Sequence, residues 1–78
     1  MKTVYRGHEI EVRRAQCMGG WAQLYVSVFR LRDGHECTSF HTEDDSTEQA
    51  YVGYMRDRVD AELESDDPWG ERGQNPTL

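Results

Sequence analysis

Trp21-Ala22-Gln23-Leu24-Tyr25-Val26-Ser27-Val28-Phe29-Arg30-Leu31-Arg32 decides the fold of this chain. The stretch is rich in β-branched and aromatic residues, which suit a pleated, partly buried strand. Successive side chains of a strand point to opposite faces. Leu24, Val26 and Val28 therefore share one face, and Tyr25, Phe29 and Leu31, with Ser27 between them, share the other. A sheet face turned to water normally alternates apolar with polar, and this strand is apolar on both sides.

The punctuation around it predicts a meander. Asp33-Gly34 is a strong short hairpin signal and joins the stretch to His35–Thr42. Upstream, Cys17-Met18-Gly19-Gly20 separates it from Glu9–Gln16. Gly7-His8 then reads as a two-residue type II′ turn back to Thr3–Arg6, because glycine reaches positive φ without steric penalty. That register sets Arg6 opposite Glu9, Tyr5 opposite Ile10 and Thr3 opposite Val12. Short connections make neighbouring strands antiparallel.

Downstream, Glu43-Asp44-Asp45-Ser46 opens a helix. Ser46 with Gln49, or Asp45 with Glu48, fits a capping box, and the acids suit the positive end of the helix dipole. Val52, Met55, Val59 and Leu63 form its apolar stripe, with Tyr51 at the margin. The helix is expected from about Ser46 to Glu64, before Pro68 ends it. The fold class is thus α+β: an antiparallel β-meander of three to four strands in β-β-β-β-α order, with one C-terminal amphipathic helix packed on one sheet face. Residues 1–64 form a single domain. Residues 65–78 read as a disordered acidic tail whose one sizeable apolar group is Trp69.

The whole chain has 78 residues, 36% apolar and 31% charged. A chain of this size holds one compact core and little room for a concave ligand cavity, which weighs against an enzyme. Its longest apolar run, Leu24–Phe29 around Ser27, is far short of the about 20 residues of a membrane span. No apolar export segment opens the sequence, so a cytoplasmic protein with free thiols at Cys17 and Cys37 is expected. The formal net charge is −6, divided as +4 over residues 1–32 and −10 over residues 33–78.

Each chemical candidate has a plainer explanation. His35, Cys37 and His41 fall on one face of a regular strand, and Cys and His are zinc ligands. At about 3.3 Å per residue the two histidines stand about 20 Å apart, too far to share one ion. No family signature or orienting group accompanies Cys37 as a nucleophile. The acids Glu43, Asp44, Asp45 and Glu48 are explained by helix capping. Gly53 lies inside the helix and marks either a close approach or nothing. No catalytic residue, cofactor site or metal site is expected.

Arg13, Arg14, Arg30 and Arg32, interleaved with aromatics, raise nucleic-acid binding, but the overall negative charge repels a phosphate backbone. The pattern Ala22–Arg32, Glu36–Thr42, then Ser46-Thr47-Glu48-Gln49-Ala50 resembles the small antitoxin domains of the HicB type. That family's Pro-Asp-Leu-Pro-Gly-like segment between strands is missing, and no DNA-binding module follows within these residues. The resemblance implies a toxin-neutralising or regulatory partner role.

One helix covers one sheet face, so the second apolar face of the central strand needs a cover. A second copy, the tail through Trp69, or another protein can supply it. The expectation is a non-enzymatic accessory protein of a bacterial or phage setting, dimeric through that face. Its contact residues would be Trp21, Tyr25, Phe29 and Leu31, rimmed by Arg13, Arg30 and Arg32. The alternative is a nucleic-acid-associated or antitoxin-like regulator using the same arginines.

Overall fold

A computed structural model describes residues 1–16 and 22–70. Strands β1 (Lys2–Tyr5), β2 (His8–Gln16), β3 (Ala22–Arg30) and β4 (His35–Glu43) precede one helix, α1 (Glu48–Leu63), and a short 3-10 turn, Pro68–Gly70. The strands form one antiparallel sheet in the order β1-β2-β3-β4, the expected meander with its C-terminal helix.

The core follows the alternation of β2 and β3. Ile10, Val12, Leu24, Val26 and Val28 are buried on one face, against Val52, Met55 and Val59 of α1. These are the apolar rows read from the sequence. Leu63, placed in the same helical stripe, is 41% exposed at the helix end. The helix lies chiefly over β2. Its cap is Thr47, whose Oγ1 accepts the Ala50 N–H at 3.0 Å, rather than Ser46 or Asp45. Asp44 instead accepts the Ser46 N–H at 2.7 Å, so the acids shape the approach to the helix.

Three local details differ from the expected pattern. The first hairpin turns at Arg6-Gly7, not Gly7-His8, pairing Tyr5 with His8 and Thr3 with Ile10. Both turn residues have positive φ, 49° and 78°, as a type I′ turn requires. Moving the turn by one residue shifts partners by two, so Tyr5, Ile10 and Val12 still share a face.

The second hairpin does not turn tightly at Asp33-Gly34. Arg30 pairs with His35 across a four-residue loop, Leu31 to Gly34, closed by Gly34 N–H donating to Arg30 O at 2.8 Å. Arg30 also grips Asp33 through Nε (3.1 Å) and Nη2 (2.8 Å), which ties the loop down.

Just past that loop β4 carries a bulge. Phe29 faces Glu36 but Val28 faces Thr38, so Cys37 is an extra residue in the ladder. The extra residue reverses the alternation and puts His35 and His41 on opposite faces, correcting the expectation that His35, Cys37 and His41 share one.

The acidic segment after α1 is not a loose tail as far as Gly70. Trp69 is 7% exposed and belongs to the core cluster. It extends the helix-side layer instead of folding over the opposite face. The remainder of the tail, residues 71–78, and the double-glycine turn with Cys17 lie outside the described residues.

Candidate functional site: the open sheet face

The helix and the Trp69 segment both pack on one side of the sheet, and among the described residues no element packs on the other side. Its side chains fall in cross-strand rows set by the register. One row is Arg13, Tyr25 and His41; the next is Lys2, Glu11, Ser27 and Ser39; the third is Val4, Glu9, Phe29 and Glu36.

Tyr25 sits at the centre of the first row and is 39% exposed. The Arg13 guanidinium lies 5.9 Å above its ring centroid, and the His41 ring is 5.8 Å away at a 35° tilt. Its hydroxyl donates to Gln23 Oε1 at 3.1 Å. Arginine over a tyrosine face is attractive through the ring quadrupole, so Arg13 both shields and orients the ring. Ser27 and Ser39 approach to 3.5 Å through their hydroxyls and make the middle of the face polar. Phe29 is half-buried between Glu9 and Glu36, and Val4, near the β1 edge, is 62% exposed.

The predicted contact set is therefore only partly assembled. Tyr25, Phe29 and Arg13 share the open face. Leu31 is exposed but sits in the β3–β4 loop, outside the strand. Arg30 follows Leu24, Val26 and Val28 in the alternation and lies on the helix side, bound to Asp33. Arg32 belongs to the loop, and Trp21 lies outside the described residues. The arginine rim does not form around this face: its charges are Lys2 and Arg13 against Glu9, Glu11, Glu36 and Glu43. The sequence reading also missed Val4 and His41. Both were legible by parity once the strands were paired.

The two aromatics of the central strand are thus partly covered by their neighbours in β2 and β4, which lowers the need for an outside cover. Among the described residues no group of three His, Cys, Asp or Glu side chains is placed to hold a metal ion. No described helix is long and apolar enough to cross a membrane. Comparison with family models, curated proteins and solved structures found no match for this chain.

Proposed function

We propose that this is a non-enzymatic protein acting by protein contact, and that the open sheet face pairs with a second copy of the chain. The supporting observation is the exposed apolar surface of Val4 and Tyr25 on a face that no described element packs against. Charge layout supports a copy as the occupant. A two-fold axis parallel to the strands and between β2 and β3 lays β1, with Lys2, over β4 of the other copy, with Glu36 and Glu43, and β2 over its β3. It also carries Arg13 towards the other Tyr25. Four strands about 4.8 Å apart and up to nine residues long offer roughly 500 Å² per copy. The total is at the lower bound for a stable interface, so the dimer should be weak, in the micromolar range. Four carboxylates on the face repel a phosphate backbone, and the proposal does not extend to nucleic acid.

The test is size-exclusion chromatography with light scattering at tens to hundreds of micromolar. The expected mass rises with concentration towards twice that of the chain, and Tyr25→Glu with Val4→Glu holds it at one. A single-chain mass throughout for the parent protein overturns the reading.

A further inference from the structure

At the end of the sheet opposite the helix N-terminus, six elements converge on a cleft of about 330 Å³. Arg6 reaches it from the first hairpin turn, His8 from the start of β2 and Arg30 from the end of β3. Arg32 comes from the β3–β4 loop, Leu63 from the end of α1 and Trp69 from the 3-10 turn. Its floor is apolar and its rim carries three guanidinium groups. We propose that this cleft binds a small organic anion, an oxyanion head on an apolar body about the size of one ring.

The charges decide where the head sits. Arg6 is held by Asp60, Nη1 to Oδ1 at 2.7 Å, and Arg30 by Asp33. Arg32 closes no ion pair among the described residues. Asp33 also accepts the His35 N–H at 3.1 Å, so the loop carrying Arg32 is fixed at both ends of this turn. Arg6 spends one N–H on Asp60, and a guanidinium has five. Glu62 is occupied by the Trp69 N–H and Arg58, Asp67 is engaged as well, and Glu64 adds a carboxylate within electrostatic reach of Arg6. Arg32, with Arg6 beside it, is therefore the place for an oxyanion.

The apolar body has its own seat. Leu63 and Trp69 both line the cleft, and Leu63, exposed at the helix end, offers it apolar surface. His8 closes the back: its Nδ1 lies 2.9 Å from Arg6 O, and because a carbonyl only accepts, Nδ1 carries the hydrogen. The volume lies at the small end of ligand clefts, which run from about 300 to 1,000 Å³.

The experiment is an amide and indole N–H titration by NMR of the full chain with phenyl phosphate, benzoate, inorganic phosphate and benzyl alcohol. Saturable shifts at the Trp69 indole and the Gly7 amide are expected with phenyl phosphate or benzoate, and the one that binds names the head group. Inorganic phosphate and benzyl alcohol should each bind at least about tenfold more weakly, since each lacks half of the ligand. Arg32→Gln and Arg32→Glu should weaken binding by about tenfold or more without changing the melting temperature, because the side chain is exposed. No shift up to about 10 mM ligand, equal shifts with benzyl alcohol, or binding unchanged in both Arg32 variants overturns the proposal.

Discussion

The Glu62 carboxylate accepts the backbone N–H of Trp69 at 2.6 Å with one oxygen and the Arg58 guanidinium at 2.7 Å with the other. Trp69 itself takes a left-handed backbone, φ 59°, that a non-glycine residue adopts only when its surroundings hold it. Arg58 lies 5.3 Å over its ring and the buried His8 ring is 6.1 Å away. One carboxylate thus fastens the end of the helix, the reversal after it and the last aromatic of the core.

Trp69→Ala should therefore cost about 3–5 kcal/mol, as for a buried aromatic. A chain this small has a total stability on the order of 5 kcal/mol, so the variant should be largely unfolded near room temperature. Glu62→Ala should cost about 1–3 kcal/mol by leaving the Trp69 N–H without its charged acceptor. Urea unfolding followed by circular dichroism measures both. Wild-type midpoints in Trp69→Ala would place residues 65–70 outside the cooperative unit.

Stability should fall at both ends of the pH scale. Arg6 and then Tyr5 hold the Asp60 carboxyl below its usual range, and the Arg14 backbone N–H does the same for Glu48. Burial works to raise Glu62, but the Trp69 N–H and Arg58 outweigh it. A carboxyl lowered in the folded state contributes stability above its unfolded pKa, about 4, and loses it as pH falls through the folded value. The urea midpoint should therefore be level above about pH 5 and decline below about pH 4. At the other end, the hydrogen bond to Asp60 raises Tyr5 and burial raises Tyr51. A raised tyrosine contributes below its unfolded value, near 10, and loses that contribution as pH climbs through the folded one. Tyr5→Phe with Tyr51→Phe should flatten the alkaline decline and reduce the acid one only by the Tyr5 share of the Asp60 effect.

Two glycines should respond in opposite directions. A Cβ at Gly53 would meet nothing within 4 Å, so this helical glycine serves no close approach. Gly53→Ala should stabilise by about 0.5–1 kcal/mol. Gly34 also has room for a Cβ, but its φ is +71°. Gly34→Ala should destabilise by about 1–2 kcal/mol through backbone strain alone. Urea midpoints for the two variants, measured together, check the pair.

Parity carried most of what the sequence could show. Leu24, Val26 and Val28 are one row because strands alternate, and the same counting puts Arg30 with them, away from Tyr25. Grouping Arg30 with Phe29 and Leu31 ignored that rule. The turn at Arg6-Gly7 was harder to see, because one glycine satisfies either central position and only the pairing of whole strands chooses between them. The bulge at Cys37 left no mark in composition at all. Trp69 was visible as the single large apolar group of an acidic segment. What it packs against depends on Glu62 and Arg58, which lie seven and eleven residues earlier in a helix. The polar character of the open face was likewise invisible in β3 alone, since Arg13, Glu9, Glu36 and His41 come from its neighbours.

The displaced Cys37 also bears on how this small sheet behaves in a crowd. β4 is an outermost strand, and such a margin invites a foreign strand to zip alongside it and extend the ladder. A newcomer starting at Glu43 finds regular spacing as far as Thr38 and then a step out of line. That interruption shortens the template on which fibril-like growth would build, using one residue where a larger protein would spend a shielding loop.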